Sequence, residues 1–363
     1  MGNIKNFTVL ALALMLSFAT LAQTDSIKLS LYNKAYNNIY TMLTKGRPSF
    51  KAAVFAVENA YYRNSLSYEA YEKTIKGLAA LAKAYLRSNP LLYQGKDSAT
   101  IGKYAAVFKI MTDSIPISFN DTILYHIPYK YNFSDFDGSA DWSDMFVSKL
   151  LETHQGNCHS MPYLYKIIVQ ELGEEAYLAL APNHIYLKLF SEKDGWYNTE
   201  LTSGDFPIDA WIMASGYVHL SAIQNAVYMD TIGNTKSVAM CLVDLAQGLD
   251  MQAKGNAIDT FVLKCCNTAL TYFPNYINAL LLQSKIYERQ FSERLKADGY
   301  STPQEYLDKD PESKRLFGNM TLLTSKIYDL GYRRMPVKMY MEWLSVLKTQ
   351  HEKYSNKKIN FTK

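Results

Sequence analysis

The sequence predicts an α+β fold in which helices flank a small sheet near the middle of the chain. Apolar residues recur at three- and four-residue steps over 26–88, which is the period of an amphipathic helix. Apolar runs typical of strands occur between Ala176 and Leu201, and the helical period returns after Val238. Because domains usually contain about 100–200 residues, a chain of 363 residues is expected to form two or three of them.

The N-terminal segment has the pattern of an export signal. Lys5 precedes an apolar run from Phe7 to Ala22, and Thr20 and Ala22 occupy the −3 and −1 positions of the predicted cleavage site. The run is shorter than the ~20 residues of a membrane-spanning helix, which favours a signal peptide over 1–22 rather than an uncleaved anchor. We therefore expect an exported chain, periplasmic or extracellular after cleavage, without a stable membrane anchor.

Composition narrows the class of protein. The formal charge of +4 and the apolar fraction of 48% are those of an ordinary globular chain, and neither points to nucleic acid. The four cysteines lack the close, regular spacing of a disulfide-stapled domain. Cys265 and Cys266 are adjacent within a helical pattern, so we interpret them as small core residues.

The first part of the chain is predicted to be a helical N-terminal region over 23–120. Asn89-Pro90 ends the first helical stretch, and a second helical piece is expected over 101–111. From Ser114 to Asp144 the sequence is rich in aromatic residues and lacks a helical period, which favours loops or strands. These aromatic residues either wall a substrate cleft or cover the core as ordinary packing material.

The centre of the chain places a cysteine at the start of a helix. Gly156-Asn157 breaks the preceding pattern, Cys158 follows, and a helical period then runs to Gly173. The free N–H groups and the dipole at a helix N-terminus favour an anion, which lowers the pKa of a thiol there. The same N–H groups are suited to receive an oxyanion.

Three strands are predicted after this helix. Residues 176–181 form a buried apolar run, and residues 184–190 alternate, with His184 on the face opposite the apolar side chains. Lys193-Asp194-Gly195 is a hairpin signal, and the chain returns as a strand over 196–201. The hairpin therefore brings residues near 200 alongside His184.

The register of this hairpin suggests a catalytic triad. His184 lies opposite Glu200 or Thr202, depending on where the turn is centred. A thiol nucleophile requires a base that takes its proton and a third group that orients the base. Cys158, His184 and Glu200 supply these three groups, and Asn198 and Asp205 are the alternatives for the third position.

Neighbouring residues are candidates for supporting roles. Gln155 either donates to an oxyanion or is a surface loop residue. His154, Cys158 and His159 lie close together, but their spacing matches no familiar zinc pattern, and neither a metal nor a cofactor is expected. The candidate residues of a substrate cleft are His159, Asn183, Trp196 and Trp211.

The segments GNCHSMPYLYKIIVQELG, NHIYLKL and GWYNTEL resemble the Cys, His and acidic motifs of the transglutaminase-like superfamily, whose fold is related to papain-like cysteine proteases. The resemblance covers 146–201 well and 121–226 loosely. It implies a core over 121–235 in which a nucleophile helix packs on a small antiparallel sheet, with Cys158 as nucleophile, His184 as general base and Glu200 as orienting acid. The sequence departs from the family at His159, where an aromatic residue is usual, and at Glu200, where Asp is usual.

The C-terminal part is predicted to be a helical domain over 236–347. NAIDTFVLKCCNTALTYFPNY and INALLLQSKIYERQ resemble tetratricopeptide helices, with Gly255 near a turn. A loose stretch is expected over 292–314, and a frayed basic tail over 348–363. Stacked helical pairs form concave surfaces, which suit a protein partner unless these helices only complete the core.

Two functions from different classes follow from these patterns. The first is a cysteine-dependent acyl-transfer enzyme that hydrolyses peptide or amide bonds through a thioester, or cross-links proteins when an amine replaces water. The second is a non-catalytic module that holds a peptide or scaffolds a partner with the cleft and the helical repeats. The presence of all three triad residue types favours the enzyme.

Overall fold

The computed structural model describes residues 26–298 and 302–359, and it confirms the α+β class. The predicted signal peptide lies outside the described residues. The helices are α1 over 26–44, α2 Phe50–Tyr61, α3 Tyr68–Ser88, α4 Ser98–Thr112, α5 Val147–Thr153, α6 Ser160–Glu171, α7 Asp209–Ser215, α8 Leu220–Gln224, α9 Asn234–Gln252, α10 Asn256–Tyr272, α11 Ile277–Ala297, α12 Pro303–Lys309, α13 Pro311–Asp329 and α14 Val337–Ile359. The strands are β1 Ile115–Phe119, β2 Thr122–His126, β3 Lys130–Tyr131, β4 Gln155–Gly156, β5 Tyr177–Ala181, β6 His184–Ser191 and β7 Gly195–Thr199.

The long helical pattern at the N-terminus is divided into three helices. Gly46 adopts a left-handed φ of +63°, which glycine tolerates without strain, and the chain turns there between α1 and α2. Ser49 caps α2 by accepting from the N–H of Ala52, and Ser67 caps α3 in the same way. Local capping groups therefore set helix boundaries that the apolar period alone does not show.

The central sheet has the strand order β5-β6-β7 and is antiparallel throughout. Leu187 pairs with Thr199, and Ser191 pairs with Gly195 at the hairpin end. Continued along the strands, this register places His184 in line with Thr202 and diagonal to Glu200, which is the second of the two expected registers. Glu200 itself lies just past β7, where it forms an isolated bridge with Asp205.

One hydrophobic core joins the three predicted regions. Buried side chains from the N-terminal helices, the central sheet and the C-terminal helices belong to a single cluster that extends from Tyr32 to Ile327. Helix α6 lies within it and packs against α3, α4 and α5 as well as β5 and β6. The expected boundaries at 120/121 and 235/236 therefore fall inside a continuous core.

Two expectations for the C-terminal part were wrong where the structure describes it. The stretch over 292–314 is largely helical, because α11 continues to Ala297 and both α12 and α13 begin with a proline. Proline is well tolerated in the first turn of a helix, where its missing N–H would have no intrahelical partner. The basic segment from 348 is also helical as far as Ile359, in a sequence without glycine or proline to end α14. Within the described ranges, the helices are too short or too polar to cross a membrane.

Candidate active site

The loop before α6 fixes the position of Cys158. Asn157 accepts hydrogen bonds through its side-chain oxygen from the N–H groups of His159 and Ser160, at 3.0 and 3.3 Å. Gly156 is required for close packing, since a Cβ there would lie 2.4 Å from the Ser160 hydroxyl. Cys158 is consequently held just before α6, which begins at Ser160 with His159 as its N-cap, and only 9% of the Cys158 surface is exposed.

His184 and Glu200 form a buried pair beside the thiol. The His184 Nε2 atom lies 2.5 Å from Glu200 Oε2, and the other oxygen of Glu200 accepts from the N–H of Thr202 at 2.8 Å. The second imidazole nitrogen, Nδ1, is buried and has no hydrogen-bond partner within the described ranges. It is therefore the nitrogen left to exchange a proton with Cys158, whose thiol interacts with His184.

The charges in this site favour a thiolate beside an imidazolium. Burial raises the pKa of the Cys158 thiol, but contact with His184 and the N–H of Ile185 outweighs burial, and the pKa lies below its usual value. Burial lowers the pKa of His184, but the Glu200 carboxylate and the Cys158 thiol raise it above the usual value. Burial likewise raises the pKa of Glu200, but the charge and hydrogen bond of His184, together with the hydrogen bonds from Thr202, hold that pKa below its usual value.

The three other cysteines behave differently. Cys241, Cys265 and Cys266 are fully buried, and burial raises the pKa of each thiol. No disulfide joins any of the four. A thiolate near neutral pH is therefore expected at Cys158 alone.

Cys158 and His184 line a cavity of about 520 Å³. Its walls come from α2, from the aromatic-rich stretch before α5, from the site itself, from α9 and from the segment leading into α14. Polar groups within it include Asp137, His159, Asp244 and Arg334. The cavity is large enough for several residues of a peptide, and Phe136 and Trp142 show that the aromatic-rich stretch walls it.

Helix α14 covers one side of the site. Trp343 contacts the His184 ring edge-to-face, with 4.6 Å between ring centroids, and the Tyr340 hydroxyl donates to the Asn183 carbonyl at 3.4 Å. The same carbonyl accepts from the Cys158 thiol at 3.8 Å. Residues of α14 thus shield the imidazole from water, while the cavity leaves Cys158 open on its other side.

Of the predicted cleft residues and the predicted oxyanion donor, the structure places some beside the cavity and others away from it. His159 and Asn183 line the cavity. Gln155 is exposed in β4 and is absent from the cavity lining within the described ranges, which does not suit an oxyanion donor. Trp196 is 48% exposed and packs on Tyr177, and Trp211 is half-buried against the core. Neither tryptophan is among the residues that line the cavity, and Trp211 packs instead against the α14 cluster that contains Tyr340 and Trp343.

Sequence reasoning missed two buried acids that border the cavity. Asp244 contacts His159 and accepts from the Tyr163 hydroxyl at 2.9 Å. Glu58 accepts from the N–H groups of Val147 and Ser148 and so caps α5. Both acids stand in otherwise apolar helical segments, and such an isolated charge is the signal that would have identified them.

Replacing Glu58 with glutamine is expected to change how stability depends on pH. Burial raises the pKa of Glu58 to about 7, above the ~4.3 of an unfolded chain. Because the folded-state pKa is raised, the stabilising contribution is complete below about pH 4 and is lost as the pH rises through about 7. Urea unfolding should show Glu58→Gln gaining about 3 kcal/mol relative to wild type between about pH 4 and 8. The exposed control Glu69→Gln should show no such gain, and parallel curves for Glu58→Gln and wild type would contradict the prediction.

No group of three or more His, Cys, Asp or Glu side chains is arranged to hold a metal ion in the part of the chain that the structure describes. His154 stacks on Tyr129, with 4.9 Å between ring centroids, and does not join Cys158 and His159 in a shared site.

No protein-family model matches the chain. No curated protein matches it either. Among solved structures, the chain is similar to a crystal structure of menin that reveals the binding site for the Mixed Lineage Leukemia (MLL) protein, at 12% sequence identity and a TM-score of 0.41. The similarity covers 90% of this chain and 66% of the menin chain.

Proposed function

We propose that the chain is an exported transglutaminase-like enzyme that uses Cys158 to transfer an acyl group from a peptide or amide to water. The observation that carries the proposal is the 2.5 Å contact between His184 Nε2 and Glu200 Oε2, which leaves Nδ1 of a buried imidazole for the thiol. A base, its orienting acid and a nucleophile at a helix start are the parts that such chemistry needs. The cavity beside them suits a peptide or protein substrate.

The proposed reaction has two stages. The Cys158 thiolate attacks the amide carbonyl, and a C–S bond forms as the carbonyl becomes an oxyanion. We assign this oxyanion to the backbone N–H of Cys158, because the N–H groups of His159 and Ser160 already donate to Asn157. The intermediate then collapses, the C–N bond breaks, and the His184 imidazolium gives its proton to the departing amine.

Water resolves the resulting thioester. Neutral His184 takes a proton from the water molecule as its oxygen attacks the thioester carbon. The C–S bond breaks, the carboxylic acid product leaves, and the thiolate and imidazolium are restored. An amine in place of water gives a new amide by the same steps, and cross-linking is therefore the related outcome that the same groups support.

Alkylation by iodoacetamide tests whether the thiol is activated. At about pH 6 a thiol of pKa near 8.5 is almost wholly protonated, whereas one with a lowered pKa is largely thiolate. A lower pKa also makes the thiolate a weaker nucleophile, which offsets part of the gain in thiolate fraction. We therefore expect wild type to react about tenfold faster than His184→Ala at this pH. Cys158→Ser supplies the background from the other three cysteines.

Two outcomes of this experiment separate the function classes. An alkylation rate that stays high below about pH 7 in wild type and falls in His184→Ala supports the enzyme. Matching profiles with midpoints near 8.5 would mean that His184 does not activate the thiol. The cavity would then be assigned to a non-catalytic module that holds a peptide.

A further inference from the structure

A second imidazole, that of His159, follows Cys158 in the chain and lines the same cavity as Cys158 and His184. His159 Nδ1 lies 2.8 Å from the backbone carbonyl oxygen of Met145, and Nε2 lies 3.2 Å from Asp244 Oδ1. Its ring packs against Tyr163, with 4.1 Å between ring centroids. His159 is therefore fixed by groups from the loop before α5, from α6 and from α9.

Both ring nitrogens of His159 face hydrogen-bond acceptors. A peptide carbonyl accepts only, and the Asp244 carboxylate accepts from the Tyr163 hydroxyl with its other oxygen. A neutral imidazole carries one N–H, so its other nitrogen would point a lone pair at an acceptor in a buried site. Two N–H donors satisfy both contacts, and a ring with two N–H groups is an imidazolium.

We propose that His159 is a fixed imidazolium, held by Asp244 and the Met145 carbonyl, which serves as a second cationic neighbour of the Cys158 sulfur and keeps it ionised. This inference rests on the proposed function and names a positioning residue for that reaction. With both N–H groups engaged, His159 exchanges no proton with substrate. It acts through its charge on the sulfur, whereas His184 carries the proton.

Other charged and titratable groups face these residues. Burial lowers the pKa of His159, and Asp244, the Met145 carbonyl and the Cys158 thiol together raise it above its usual value. Further titratable neighbours of His159 are Glu58 on α2 and Tyr163 on α6, and those of Cys158 include His184, Glu200, Tyr131 and Tyr340. Asp137 and Arg334 line the same cavity. Burial raises the pKa of Tyr131, Tyr163 and Tyr340, so these three stay neutral. Glu58, with a pKa of about 7, is the neighbour that would titrate within the measured range.

The test measures the pH midpoint of iodoacetamide alkylation at Cys158 in the full chain. His159→Phe keeps an aromatic ring against Tyr163 and removes the charge, and His159→Gln keeps a donor for Asp244. Asp244→Asn removes the anion that holds the imidazolium. Each is expected to raise the midpoint by about 0.5–1 pH unit, or slow alkylation about three- to tenfold at about pH 6. His219→Gln, at an exposed histidine that caps α8, should leave the midpoint unchanged.

All variants are also measured in a Glu58→Gln background, so that titration of Glu58 does not add an inflection near pH 7. Nitrogen chemical shifts of the His159 ring give an independent readout, and we expect both nitrogens to remain protonated at about pH 8. The inference is overturned if the His159 variants keep the wild-type midpoint while His184→Ala raises it, or if the ring is neutral at that pH. An ordinary midpoint in wild type would instead overturn the proposed function.

Discussion

Replacing Glu200 with glutamine is expected to slow hydrolysis of p-nitrophenyl acetate, a small ester that acylates reactive thiols, by about a thousandfold or more. Glu200 is 3% exposed, and its carboxylate accepts from His184 Nε2, which leaves the lone pair of Nδ1 for the thiol proton. A glutamine amide can turn its NH₂ group toward Nε2 and impose the opposite tautomer. Nδ1 would then point an N–H at Cys158, and the base would be lost.

Stopped-flow release of p-nitrophenolate measures the effect, with acylation and turnover recorded separately. Glu192→Gln is the matched control, since it makes the same chemical change at an exposed position of the β6–β7 hairpin. We expect Glu192→Gln to behave as wild type. A Glu200→Gln variant that keeps its turnover within about threefold of wild type would remove Glu200 from the proposed triad.

Replacing Trp343 with alanine is expected to lower the free energy of unfolding by about 3–5 kcal/mol. Trp343 is 3% exposed, contacts the His184 ring and packs with Met335, Tyr340, Leu344 and Leu347 in a buried cluster. Truncation leaves a cavity between α14 and the sheet that neighbouring side chains fill only in part. Urea unfolding followed by far-ultraviolet circular dichroism measures the loss.

Val346→Ala is the control on the same helix, because Val346 is 45% exposed. A change at such a surface position usually alters stability by about 0.5 kcal/mol or less. If Trp343→Ala costs no more than Val346→Ala, then α14 does not pack on the site in solution. The shielding of His184 from water would then need another source.

Local patterns in the sequence predict the central strands and the position of the thiol well. The apolar run before Asn183, the alternation after it and the Lys193-Asp194-Gly195 turn correspond to β5, β6 and the hairpin, and Gly156-Asn157 precedes α6. The choice between the two hairpin registers was not predictable, because both place Glu200 on the same face as His184. Side-chain length decides this contact, since the Glu200 carboxylate reaches the imidazole from a diagonal position.

Contacts between distant segments were not predictable from the sequence. The contact of Trp343 with His184 and that of Asp244 with His159 join residues far apart in the chain, and helical periodicity marks such side chains only as buried or exposed. The prediction of a loose stretch over 292–314 was wrong for a different reason. Prolines at 303 and 311 are compatible with breaking a helix or starting one, and only the structure shows that they start helices.

The cavity is assembled from segments that run from Val54 near one end of the chain to Met341 near the other. A polypeptide that stops before Met335, or that is clipped between α9 and α14, lacks one wall of the site even when its central sheet is complete. The thiol therefore acquires its full surroundings only after the last helix has docked. A chain cut before α14 would leave the His184 ring open to water where Trp343 now covers it, although Cys158, His184 and Glu200 would all still be present.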